Sequence, residues 1–323
     1  FAGRGKLRFL PNDDLELNLA VDFLDEKGRG SNGEGIRQDS GIGLGFGQFS
    51  FSTAQNPRTA DHDAAESEMR RIWGTALTAD YALGDDHTAT SISAYREIEW
   101  ANVNEEDYTS AFIGASFFDE STEQFTQEFR ITSPADRRFN YVAGLYFIDQ
   151  DITTARSGSF TGLFFGRPPD QAEVLATFVD VDSTSWAAYL HANFNLTNRI
   201  ELTAGLRYSD EQKDIEFFVP NPTGFAGVLD MTGQAPFQDK YEADFLTPKI
   251  GIAYRFNDDV MLYGSYSEGF TSGGHNVDFI QTLEELPFRA ETADSFEVGV
   301  KSTLFDGKTR LNIAVFDTAF EDF

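Results

Sequence analysis

Cysteine is absent from the 323 residues. That excludes disulfide frameworks, zinc knuckles and thiol nucleophiles together. Basic residues are scarce: 25 Lys and Arg stand against 53 Asp and Glu, a net charge of −28. Phosphate contact needs basic surface, so nucleic-acid binding is excluded. No run of about eighteen apolar residues occurs, so there is no transmembrane helix. No signal peptide opens the chain, which starts Phe1-Ala2-Gly3-Arg4-Gly5 directly before a predicted strand. A secreted protein carries an export signal, so the expectation is a fragment. The four histidines, His62, His87, His191 and His275, sit at no metal spacing. Ser265 and Ser267 lack the Gly two residues earlier that a nucleophile elbow needs. The run Gly41-Ile42-Gly43-Leu44-Gly45-Phe46-Gly47 lacks the third Gly of a dinucleotide fingerprint and reads as flexible loop. No enzyme active site emerges.

What is abundant is aromatic residues, with 32 Phe and 11 Tyr, at a mean hydropathy of only −0.35. The stretch 186–214 shows how they are used. Trp186, Ala188, Leu190, Ala192, Phe194 and Leu196 share one strand face, and Tyr189, His191, Asn193 and Asn195 the other. After a Thr197-Asn198-Arg199 turn, Leu202, Ala204, Leu206 and Tyr208 alternate with Glu201, Thr203, Gly205 and Arg207. Each strand runs for roughly ten residues or more, enough to cross a bilayer when tilted. Leu15–Phe23, Leu246–Phe256 and Phe296–Leu304 repeat the alternation.

The hairpin recurs six times, giving about twelve strands: Lys6–Leu10 with Leu15–Leu24, Arg71–Leu83 with Thr88–Trp100, Glu123–Ser133 with Phe139–Asp151, Ser185–Leu196 with Ile200–Phe217, Asp244–Phe256 with Val260–Gly269, and Ala293–Phe305 with Thr309–Phe323. Turns within hairpins are short and rich in Asn, Asp, Gly and Pro. Connections between hairpins are long and polar: Asp25–Arg70, Ala101–Thr122, Ile152–Thr184, Phe218–Ala243 and Thr271–Thr292. Short turns on one side and long loops on the other are the habit of outer-membrane barrels. A β-propeller has a similar turn spacing but needs four short strands per blade and a blade signature, which are missing. The expected fold is an all-β, antiparallel transmembrane barrel forming one domain over residues 1–323. Its first and last strands should stand at open edges.

Three segments go beyond pattern: Thr126–Pro134 (TQEFRITSP), Leu202–Asp214 (LTAGLRYSDEQKD) and Leu262–Asn276 (LYGSYSEGFTSGGHN). Together they resemble the barrel domain of TonB-dependent outer-membrane receptors, and the likeness runs over essentially the whole chain. The resemblance implies a 22-stranded barrel closed by an N-terminal plug. It also implies uptake of a scarce solute, often a ferric siderophore, with cobalamin, haem, nickel complexes and saccharides as further family cargoes. The TonB–ExbB–ExbD complex of the inner membrane would drive transport by pulling on an N-terminal box. Neither plug nor box is legible here, and the family barrel has about ten strands more than the hairpins supply.

Substrate contacts are expected at loop bases and in the upper lumen. The first candidate is Glu268, Phe270, Ser272, Gly273, Gly274, His275 and Asn276, leaving a strand at the extracellular end with glycines that admit a ligand. The second is the lumen-facing set Arg130, Arg207, Lys249 and Arg255, which either attract an anionic chelate or pair with Glu128 and Glu201. Asp180 and Asp182 read as a solvated loop, with a surface Ca²⁺ site beside lipopolysaccharide as the sharper alternative. No cofactor or resident metal is expected. Lipid and lipopolysaccharide are the expected surroundings. A passive porin-like channel and a non-transporting surface barrel are the competing readings.

Overall fold

The computed structural model describes residues 1–28, 65–106, 113–162, 168, 173–222, 228–277 and 280–322. Its strands are β1 Ala2–Asn12, β2 Leu15–Gly28, β3 Ser67–Ala82, β4 Thr88–Glu105, β5 Gly114–Thr132, β6 Phe139–Phe160, β7 Glu173–Asn195, β8 Ile200–Phe218, β9 Phe237–Arg255, β10 Val260–Thr271, β11 Gly274–His275, β12 Pro287–Phe288, β13 Glu291–Leu304 and β14 Thr309–Glu321. Twelve of them form one sheet in which every strand pairs with its sequence neighbour, β10 stepping directly to β13. The short β11 and β12 pair with each other. No ladder among the described residues joins β1 to β14, so both are edge strands, as the sequence led one to expect.

Turn chemistry fixes the register. In the β7–β8 turn the Thr197 hydroxyl accepts from the N–H groups of Arg199 and Ile200 at 3.1 and 3.0 Å. In the β9–β10 turn the Asn257 side-chain oxygen accepts from Asp259 and Val260 at 2.9 and 2.8 Å. Such side-chain mimics of a backbone turn are why Thr and Asn stand there. Phe305, Asp306 and Gly307 close the β13–β14 turn with positive φ.

The large apolar side chains lie outside. Leu206 is 47% exposed, Leu246 57% and Val298 62%. In a water-soluble sheet these would be the core; here they make a continuous outer band, the arrangement a hydrocarbon solvent rewards. The opposite, inner face is polar along most of its length. The main buried apolar cluster sits over that inner face: Val179, Ile215 and Phe217 from the wall, with Val219, Met231, Ile280 and Leu286 from the loops after β8 and β10.

The strands are longer than the sequence suggested. β6 and β7 run 22 and 23 residues. The inferred loops therefore shrink: residues 101–105 and 114–122 are strand, as are 152–160, 173–184 and 237–243. Beyond the apolar band the outer face turns acidic. Glu97, Glu123, Asp151, Asp182 and Asp214 stand opposite one another across β4 to β8. Above the hydrocarbon the outer face meets headgroups and water, so the apolar period stops while backbone pairing continues. Asp180 and Asp182 accordingly lie in β7 and not in a loop, Asp180 accepting from the Thr153 hydroxyl at 2.7 Å. Gly41–Gly47 and His62 lie outside the described residues.

Candidate functional site

The segment after β10 is docked onto the inner wall by polar contacts. Lys213 of β8 donates from Nζ to Ser272 Oγ at 2.8 Å and to the Gly273 carbonyl at 2.7 Å. The Gly273 N–H donates to Tyr241 Oη of β9 at 3.0 Å. A Cβ at Gly273 would meet the Phe288 carbonyl and a Tyr241 ring carbon at 2.7 Å, so the approach requires glycine. His275, with its side chain only 4% exposed, sets Nε2 at 3.1 Å from Asp239 Oδ2. Asn276 N–H donates to the Leu286 carbonyl at 2.6 Å. The ring of Phe270 stacks on Phe245 at 3.8 Å, and the Glu268 carboxylate accepts from Tyr266 Oη at 2.5 Å. The structure thus brings Ser272–Asn276 together, and it uses much of their hydrogen-bonding capacity to hold the loop.

The loops after β8 and β10 also hold each other. Leu229 N–H donates to the Ile280 carbonyl at 2.9 Å, and Met231 N–H to the Val219 carbonyl at 2.8 Å. With Leu286 and Phe217 fully buried between them, the pair forms a shelf across one side of the sheet's long-loop end.

The cations chosen from the sequence separate into two levels. Arg207 and Lys249 line a cavity of about 480 Å³ with Glu128, Tyr146, Tyr189 and His191. Arg130 lies 3.9 Å from Glu128 Oε1, and the same oxygen accepts from Tyr189 Oη at 2.5 Å. Arg207 donates to Ser209 Oγ at 3.0 Å. Lys249 has no ion-pair partner among the described residues. Arg255 sits near the short turns and pairs with Glu201 at 3.4 Å. Pairing with Glu128 and Glu201 is therefore what Arg130 and Arg255 do.

Sequence reading missed a second constellation higher on the inner wall. Trp100, Phe118, Arg156, Phe160, Leu175 and Val228 surround another cavity of about 480 Å³. Phe118, Arg156, Phe160 and Leu175 fall in stretches whose polar composition reads as loop, where no strand alternation is expected. With the ladder continued into 114–122 and 152–160, their even positions put Phe118, Arg156 and Phe160 on the inner face; Leu175 follows in β7.

Comparison with known proteins agrees with this architecture. A family model described as "TonB dependent receptor-like, beta-barrel" matches residues 6–323. The pesticin receptor of Yersinia pestis is 25% identical over 261 residues, covering 79% of this chain and 34% of the relative. The ferric-pyoverdine M114 receptor PbuA of Pseudomonas sp. (strain M114) is 25% identical over 162 residues, covering 48% of this chain and 18% of the relative. Among solved structures, the ferric yersiniabactin uptake receptor FyuA from Yersinia pestis superimposes over 100% of this chain and 45% of its own, with TM-score 0.75 at 20% identity. The siderophore receptor PiuA from Acinetobacter baumannii does so over 98% of this chain and 49% of its own, with TM-score 0.72 at 16% identity. The chain spans half the length or less of these relatives.

Proposed function

We propose, from the premise that the chain belongs to the TonB-dependent receptor β-barrel family of the outer membrane, that the whole protein takes up a ferric siderophore. The observation that carries this reading is the inner wall. A protein of net charge −28 places Arg207 and Lys249 at one cavity on the inner face, beside Glu128, Glu268 and two tyrosines, and Lys249 has no ion-pair partner among the described residues. The cations there give an anionic chelate local partners on a protein that is otherwise acidic. Relatives named as ferric-pyoverdine and siderophore receptors support the same cargo class.

In this reading Arg207 and Lys249 attract the chelate, with Arg130 alongside. The Ser272–Asn276 segment forms part of the ligand's surroundings through its backbone, and Glu268 and Phe270 fix the loop base. Energy comes from the TonB–ExbB–ExbD complex acting on a part of the protein that lies outside these residues. Lipopolysaccharide surrounds the acidic outer belt.

The test is growth under iron limitation on a panel of ferric chelates. Deleting the gene should abolish growth on one chelate and spare the others, and deleting tonB should reproduce that loss. Growth that survives loss of TonB would favour a passive channel. Unchanged growth on every chelate would remove the siderophore reading.

A further inference from the structure

We infer that the upper cavity, bounded by Trp100, Phe118, Arg156 and Phe160, recognises the aryl arms of a catecholate-type ferric chelate. The inference rests on the uptake reading above and narrows its cargo.

The register builds the site. Asn102, Phe118, Arg156 and Thr177 stand side by side on β4, β5, β6 and β7. Trp100 lies against Phe118 with ring centroids 4.5 Å apart, tilted by 54°. The Arg156 guanidinium carbon sits 4.7 Å from the centre of the Phe118 ring. Arg70 approaches the Trp100 ring at 6.0 Å. Phe160 lies on two glycines: a Cβ at Gly158 would come within 2.4 Å of its ring, and one at Gly114 within 2.5 Å. Both glycines are thus required for the ring to lie along the wall. Leu175 and Val228 close the apolar side, and Glu106 stands at the rim, accepting from Ser116 Oγ.

Three aromatic rings and one guanidinium around an open cavity make a selective surface. Aromatic faces prefer offset or edge contacts with another ring, at about 0.5–1.5 kcal/mol beyond simple burial. In a ferric catecholate the charged oxygens turn inward to the iron and the aryl edges turn outward. The wall then meets hydrocarbon edges, while Arg156 lies close enough to balance the complex's net negative charge. A ferric hydroxamate presents methylene and amide groups, which gain nothing from ring faces. A ferric citrate presents carboxylates, which offer no ring for the aromatic faces to meet.

The test uses the whole receptor, purified, with three probes: the ferric complex of 2,3-dihydroxybenzoylserine, ferrioxamine B and ferric citrate. Quenching of intrinsic tryptophan fluorescence gives each Kd. The catecholate should bind at least about tenfold tighter than the other two. Arg156→Gln and Phe160→Leu should each weaken it by about tenfold or more, and Tyr208→Phe on the outer face should not. Heat-modifiable gel migration checks that each variant is folded, and the milder Phe160→Leu guards against loss of the barrel. Equal or tighter binding of ferrioxamine B or ferric citrate overturns the inference and leaves siderophore uptake standing. So does wild-type catecholate binding by both folded variants. Failure to bind all three probes overturns the inference, and combined with unchanged growth of the deletion strain it overturns the uptake reading too.

Discussion

Leu202 and Leu206 flank Ala204 on the outer face of β8, while Thr203 on the inner face donates to Asn193 Oδ1 at 2.8 Å. The two faces answer to different solvents. Arg at Leu202 or Leu206 should cost about 2–4 kcal/mol each, the penalty of a cation facing hydrocarbon. Arg at Thr203 should cost less, because that side chain meets polar surroundings. Urea titration of the receptor folded in lipid vesicles reads the difference, and equal tolerance on both faces would contradict the membrane assignment. A second residue-scale expectation concerns Lys213. Replacing it by Met removes the donor to Ser272 and Gly273, leaving their oxygens to find another partner at a cost of about 1–3 kcal/mol. Hydrogen exchange across 272–277 should rise well above that of β10. Asp230 supplies a pH-dependent contact in the loop after β8. The Thr232 hydroxyl and then its N–H, with Asn221 N–H, hold the Asp230 carboxyl below its usual range. A depressed folded pKa means the contact contributes above the ordinary carboxylate value and is lost as pH falls through the folded value. Proteolysis of residues 219–236 should therefore accelerate below about pH 4, and Asp230→Asn should make the rate independent of pH in that range.

At the scale of elements, the hairpins were legible because their alternation faces hydrocarbon. Leu202–Tyr208 reads as a strand from its period alone, and β8 begins at Ile200 as expected. What was not legible is where strands end on the long-loop side. Asp180 and Asp182 carry no apolar period, yet they lie in β7. Charge in that stretch resembles a loop when only composition is read, because the ladder is held by backbone groups that sequence does not display. The candidate site followed the same rule. Arg207 and Lys249 were found because they alternate with membrane-facing leucine and isoleucine; Phe118 and Arg156 were missed because they alternate with Phe117 and Asp119, Ala155 and Ser157. The loop shelf was equally invisible, since Met231, Ile280 and Leu286 are far apart in sequence and show no period. Its cooperativity is testable. Leu286 is fully buried, and Leu286→Ala should cost the cluster about 2–5 kcal/mol. Limited proteolysis should then open the loops after β8 and β10 together; cleavage of the second alone would show that they are independent.

Among the described residues the sheet has two free edges. β14 exposes Ile313 and Val315 on one face and Phe316 and Phe320 on the other, with no strand beyond it among the described residues. Unpaired backbone groups in lipid cost several kcal/mol each. Residues 1–323 expressed alone and refolded in detergent should therefore associate through β1 and β14 rather than remain a heat-resistant monomer. Size-exclusion chromatography with light scattering decides this, and a stable monomeric species would show that the two edges can close on each other.

The shared cluster beneath the two loops also bears on how such a receptor changes its specificity over generations. Val219 and Met231 of one loop and Ile280 and Leu286 of the other are buried against a common wall. An exchange that replaces one loop while leaving the other strips apolar side chains of their cover. Lineages that diverge at this mouth should therefore inherit the two loops as a matched set, and a chimera that transplants both should fold where a chimera carrying either one alone does not.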